Sequence, residues 1–127
     1  MDEMKFYELS ELYKNPPHFG KMSDYTYSYE GFSPSCGDDF TVYLKIKDDN
    51  IEDASFFGYG CVISTISLSK LCDYIIGKKK DILNEIDLAK IESLVGIDKI
   101  NPSRVKCATL GVDSFKKAIS KENEPKH

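Results

Sequence analysis

The sequence predicts an α+β fold: a three-stranded antiparallel sheet with several helices packed on it. Two observations predict it. Three strand-like segments between Tyr25 and Tyr59 follow one another through short, turn-rich connections, which favours an antiparallel meander. From Cys61 onward the apolar residues recur at helical spacing, with glycines at Gly77 and Gly96 to stop the runs. With 127 residues, one domain is expected over 1–127, its core spanning about residues 5–120 and a polar tail covering 121–127.

The elements follow in chain order. Residues 2–13 read as a short amphipathic helix in which Met4, Leu9 and Leu12 pack together, with Tyr13 near its end. Asn15-Pro16-Pro17 ends it, because proline cannot continue the ladder and restricts the residue before it. His18-Phe19-Gly20-Lys21 is loop. Tyr25 to Tyr29 alternates aromatic and small polar residues, a strand signal. Ser33 to Asp38 is turn-rich, Phe40 to Lys47 is a second strand, Asp48-Asp49-Asn50 a turn and Ile51 to Tyr59 a third strand. Gly58-Tyr59-Gly60 breaks that strand, and Cys61 to Ile76 reads as a helix stopped by Gly77. Residues 81–95 carry a second helical pattern, breakable near Asp87, and Gly96 ends it. Asn101 to Arg104 is loop, and a last helix runs from Cys107 or Ala108 to Ser120.

Composition narrows the function. Net charge is −4 and the only basic run is Lys78-Lys79-Lys80, which reads as a solvated helix C-terminus. Nucleic-acid binding needs a basic stripe, so it is not expected, and the tyrosine-rich strand reads as sheet packing. No run reaches the roughly 18 apolar residues of a membrane span. The N-terminus is acidic from Asp2 and lacks an apolar signal-peptide region, so a cytoplasmic location is expected. In that compartment thiols stay reduced, and four cysteines suggest metal or sulfur chemistry before disulfides.

The cysteines divide into two kinds. Cys72 sits among Leu68, Leu71, Ile75 and Ile76 and reads as core. Cys36 lies in the turn before the second strand, Cys61 at the start of the main helix, and Cys107 at the start of the last. Helix N-termini carry unpaired amides and partial positive charge that favour a thiolate, and Arg104 and Lys106 add cationic character beside Cys107. Gly37, Gly58 and Gly60 let backbone approach a bound group. Asp38 would share a face with Cys36 if that residue opened the strand. Three thiolates and one carboxylate can form a four-coordinate site for Zn²⁺ or bind iron. The spacing is not that of a paired CxxC ribbon, and by itself it leaves a shared site and scattered structural cysteines both open. His18, in a proline-rich loop, reads as no ligand.

Asn15-Pro16…Gly20, Cys36-Gly37-Asp38, the Gly58-Tyr59-Gly60-Cys61 corner and Arg104-Val105-Lys106-Cys107-Ala108-Thr109-Leu110 resemble, in this order, the iron–sulfur cluster assembly scaffold family of IscU, SufU and the NifU N-terminal domain. The resemblance covers roughly residues 5–120 and implies that family's small antiparallel sheet with helices on one side. It implies a scaffold and sulfur acceptor, not an enzyme in the usual sense. Such a protein receives persulfide sulfur from a cysteine desulfurase and holds a metal or transient cluster, Zn²⁺ or iron as [2Fe–2S], on Cys36, Asp38, Cys61 and Cys107. Cys36 and Cys107 are the candidate persulfide acceptors. The implied partners are the desulfurase and apo iron–sulfur acceptor or downstream assembly proteins. Lys106 stands where IscU-like members have histidine, and Ile100-Asn101-Pro102-Ser103-Arg104 replaces their Leu-Pro-Pro-Val-Lys motif. The Arg-x-Lys-Cys-Ala-Thr-Leu stretch is similar to SufU, yet Gly77 to Cys107 is too short for the insertion usual in that branch. The alternatives are therefore a SufU-type zinc-dependent sulfur relay without cluster building, and a structural zinc domain for protein interaction. A thiol redox enzyme is disfavoured by the lack of CxxC.

Overall fold

The computed structural model describes residues 3–33, 37–97 and 99–120. Helix α1 (Glu3–Lys14) precedes strands β1 (Tyr27–Ser33), β2 (Asp38–Lys47) and β3 (Asn50–Tyr59). Helix α2 (Val62–Ile75), a 3₁₀ segment (Lys80–Glu85), α3 (Leu88–Val95), a 3₁₀ turn (Pro102–Arg104) and α4 (Val105–Ala118) follow. The sheet has the order β1-β2-β3 and both pairings are antiparallel, which is the predicted meander.

The hairpin between β2 and β3 is closed by Asp48 and Asp49, at φ 53° and 67°. Both lie in the left-handed region that a two-residue type I′ connection needs, and aspartate tolerates it better than most residues. Alternation along β2 places Asp38, Phe40, Val42 and Leu44 on the buried face. β3 adds Ile51, Ala54 and Phe56 to the same core. Full burial of a side chain such as Phe56 stabilises by about 1.5–3 kcal/mol. The helices lie against this face: α2 contributes Ile66, Leu68, Leu71, Cys72 and Ile75, and α4 contributes Ala108, Val112 and Phe115.

α4 packs on β1 and β2, α2 packs on β3, and the two helices pack against each other. At Gly111 a Cβ would stand 2.6 Å from Leu68 Cδ2, so the two helices approach too closely for any side chain there. After α2 the chain turns back along β3, with Ile51 N–H donating to Lys78 O at 2.7 Å and Lys80 N–H to Asp49 O at 2.8 Å. The lysine run thus follows the helix end as expected, with Lys78 Nζ donating to Tyr74 O at 2.6 Å.

Several boundaries differ from the sequence expectation, each for a tertiary reason. β1 begins and ends later than Tyr25–Tyr29, and Ser33 closes the strand instead of opening a turn. Gly31 gave no strand signal, but α4 crosses there, and an added Cβ would collide with the Ser114 side chain. β2 begins at Asp38, two residues earlier than expected, because Asp38 pairs with Ser33. The 81–95 pattern is broken at Asp87, whose side chain accepts from Lys90 N–H and caps α3. The last helix starts at Val105, and Asn101–Arg104 is a capped 3₁₀ turn, not loop. In α1, Leu9 is buried and Leu12 packs on the core, whereas Met4 is 83% exposed and takes no part. The His18–Lys21 loop is pinned to the edge of β3 through Gly20 N–H to Phe56 O at 2.7 Å. The 121–127 tail lies outside the described residues.

Candidate metal centre

The buried face of β2 starts with a carboxylate. Asp38 is 0% exposed, in line with Phe40, Val42 and Leu44. A buried carboxylate needs partners for its oxygens, since lost hydration is costly. Oδ1 has two: it accepts from the Cys61 backbone N–H at 2.8 Å and from the Ser64 hydroxyl at 3.0 Å. Cys61 is the N-cap residue of α2 and makes no side-chain cap of its own. Asp38 therefore caps this helix from the sheet, satisfying one of the backbone donors that the helix start exposes.

The other oxygen, Oδ2, is buried and without a hydrogen-bond partner. The carboxylate as a whole shares its surroundings with two sulfurs. One ligand atom each from Asp38, Cys61 and Cys107 lie within 4.8 Å of one another. Cys61 is partly exposed, Cys107 is buried, and neither is in a disulfide. Cys107 falls in the first turn of α4, two residues further into the helix than a start at Cys107 would give, because the helix begins at Val105. Its full burial also departs from the expectation of a reachable thiol beside Lys106. Cys36 lies outside the described residues.

Gly60 shapes the wall of this site. A Cβ there would stand 2.5 Å from Asp38 Oδ1, 2.5 Å from Phe40 Cε2 and 2.7 Å from Ser64 Oγ. Only glycine lets the strand-to-helix corner close over the carboxylate. Ser64 was not singled out by sequence reasoning; the signal available was its place three residues after the Cys61 N-cap, from which an N3 side chain reaches back to the helix entry.

The donors fit a thiophilic ion of tetrahedral preference. Thiolates with one monodentate carboxylate suit Zn²⁺ or iron, and the orphaned Oδ2 is the acceptor that such an ion would satisfy. Cys72 is apart from the group: it is 0% exposed within the core, and burial pushes its thiol far above the ordinary value. His18 is also apart, its Nε2 lying 3.4 Å from Asp73 Oδ1.

Comparison with known proteins agrees with this architecture. The NifU-like N terminal domain family matches residues 6–126. The chain is similar to the iron–sulfur cluster assembly scaffold protein IscU of Streptococcus pyogenes serotype M1, with 35% identity over a 131-residue alignment covering 90% of this chain and 81% of that protein. It is similar also to the zinc-dependent sulfurtransferase SufU of Bacillus subtilis (strain 168), with 34% identity covering 90% and 88% of the two chains. Among solved structures, a protein assigned to the SUF-system scaffolds (FiSufU) from Fervidobacterium islandicum AW-1 superposes with a TM-score of 0.72 at 27% identity, covering 94% of this chain and 100% of that one. The order of motifs, the sheet with its helices and a match that takes in nearly every residue lead to one conclusion: this chain belongs to the NifU-like N-terminal domain family.

Proposed function

We propose that this protein is an iron–sulfur cluster assembly scaffold and sulfur acceptor that works as a single domain over its whole length. The observation that carries the reading is the convergence of Asp38, Cys61 and Cys107, together with a buried Asp38 carboxylate that keeps one oxygen without a hydrogen-bond partner. Cys36, two residues before the start of β2, supplies the fourth donor in this reading. The relatives named as IscU and SufU support it.

Sulfur acceptance requires a thiolate that attacks the outer sulfur of a desulfurase persulfide. The new S–S bond forms on the acceptor, the donor's S–S bond breaks, and the donor leaves as thiolate. Cys36 is the first candidate acceptor. Cys107 is the second and, being buried, needs the site to open before it can react. The protein's partners are then a cysteine desulfurase and downstream apo-proteins, and its place of action is the cytoplasm. Among the described residues no helix is long and apolar enough to cross a membrane.

A second reading is the zinc-dependent sulfur relay, which would make the protein a sulfurtransferase. Lys106 directly before Cys107 and the similarity to the Bacillus subtilis protein favour it. Anaerobic reconstitution of wild type and Asp38→Ala separates the two. A carboxylate is a harder ligand than a thiolate and holds cluster iron less firmly. For a scaffold, Asp38→Ala should give a longer-lived visible chromophore. For a relay, it should lower zinc affinity and slow persulfide uptake, with no chromophore in either protein. If Asp38→Ala alters neither metal retention nor sulfur uptake, both readings fail.

A further inference from the structure

We propose that Ser64 is a positioning residue that commits one oxygen of Asp38 to helix α2, leaving Oδ2 as the single carboxylate donor of the metal centre. The inference rests on the proposed ligand role of Asp38 and adds what sets its denticity.

The Ser64 hydroxyl is 1% exposed and has one hydrogen for three acceptors in reach. These are Asp38 Oδ1 at 3.0 Å, the Cys61 carbonyl at 3.0 Å and Cys61 Sγ at 3.5 Å. The Cys61 carbonyl is already served by the Thr65 N–H at 3.1 Å and the Thr65 hydroxyl at 2.9 Å. The buried carboxylate has the greater need, and a hydrogen bond to it is stronger than one to a neutral acceptor. With its hydrogen on Oδ1, the hydroxyl turns its lone pairs toward the Cys61 sulfur.

Oδ1 is then held by two donors from the first turn of α2, the Cys61 N–H and the Ser64 hydroxyl. The Gly60 backbone packs beside this oxygen, leaving no room for a Cβ. Only Oδ2 remains for an ion. A carboxylate held to one oxygen suits a small four-coordinate ion, whereas a freed pair of oxygens permits bidentate binding and a higher coordination number. Ser64 thereby favours tetrahedral metal over larger coordination spheres, although it touches no metal itself.

The test uses the full chain with Zn²⁺ competition titrations and Co²⁺ as the spectroscopic probe. Ser64→Ala should bind zinc about tenfold more weakly, while Ser64→Thr, which keeps the hydroxyl, should stay within about threefold of wild type. In Ser64→Ala the cobalt d–d bands should lose intensity, as expected when a tetrahedral site gains a ligand. Ser64→Ala added to Asp38→Ala should cause no further loss, because the serine acts through the carboxylate. Circular dichroism of each apo-protein verifies the fold. Additive losses, or an unchanged cobalt spectrum in Ser64→Ala, would overturn the inference while leaving the ligand role of Asp38 standing. Wild-type zinc binding by Asp38→Ala would instead remove the ligand role, and the role of Ser64 with it.

Discussion

Helix α2 has a cysteine at each end of its course, and their surroundings are opposite. Cys61 occupies the N-cap position, partly exposed, with its amide on Asp38 and its sulfur near Ser64 and Cys107. Cys72 lies farther along the same helix, packed in the hydrophobic core with Leu71 and Ile75. Its thiol is pushed up first by burial and then by the charges of Asp53 and Asp73. The same side chain is a ligand candidate at a polar corner and a small hydrophobe in the core. What separates them is the company each keeps, not the helix that carries both.

The largest test of this contrast is metal binding. Cys61→Ser and Cys107→Ser should each weaken zinc binding more than about 100-fold, beyond what loss of an outer partner costs. Cys72→Ser should leave metal content at the wild-type value. Elemental analysis after gel filtration measures all three, and an emptied site in Cys72→Ser would break the contrast. Alkylation sharpens it: in metal-free native protein, iodoacetamide should modify Cys61 and spare Cys72 until denaturant is added, as peptide mass spectrometry would reveal.

The next effect is on stability. Cys72→Ser places a hydroxyl in the core and should cost about 1–3 kcal/mol in denaturant unfolding. Cys61→Ser, at the helix boundary, should cost less in the apo-protein.

A third test uses pH. The unfolded chain releases a cysteine proton near pH 8.5, whereas folded Cys72 keeps its own because burial raises its pKa. Above that pH the unfolded state binds fewer protons, so stability falls as pH rises. The Cys72 contribution to the slope approaches about 1.4 kcal/mol per pH unit. Cys72→Val should flatten the wild-type curve above pH 9 and leave it unchanged below pH 8. Parallel curves across the whole range would contradict a buried, protonated Cys72.

The smallest effect concerns the cap. In the apo-protein Asp38→Ala removes the acceptor for Cys61 N–H and should destabilise by about 1 kcal/mol, a usual capping value. Urea unfolding of metal-free Asp38→Ala checks this, and a gain in stability would mean that the buried carboxylate costs more than its cap contributes.

Much of this arrangement was legible in the residue order. Helical spacing, the Asp48-Asp49 turn and glycine stops are local signals, and they located the meander and the helices to within a few residues. The apolar neighbours of Cys72 marked it as core, and the order of Cys36, Asp38, Cys61 and Cys107 pointed to the family. Local signals could not place the ends of β1 or the start of α4. The strand at Gly31 depends on α4 crossing it, and the turn at Pro102–Arg104 depends on capping by Asn101. Nor could spacing reveal that Asp38 faces inward, that Cys107 is buried or that Ser64 stands beside both Asp38 and Cys61. Those facts depend on contacts between residues far apart in the chain, made when α2 and α4 settle on one face of the sheet. The sequence by itself determined which elements form and which residue types are available for chemistry. The tertiary structure decided which of them meet, because only packing brings the start of β2 against the first turns of two helices.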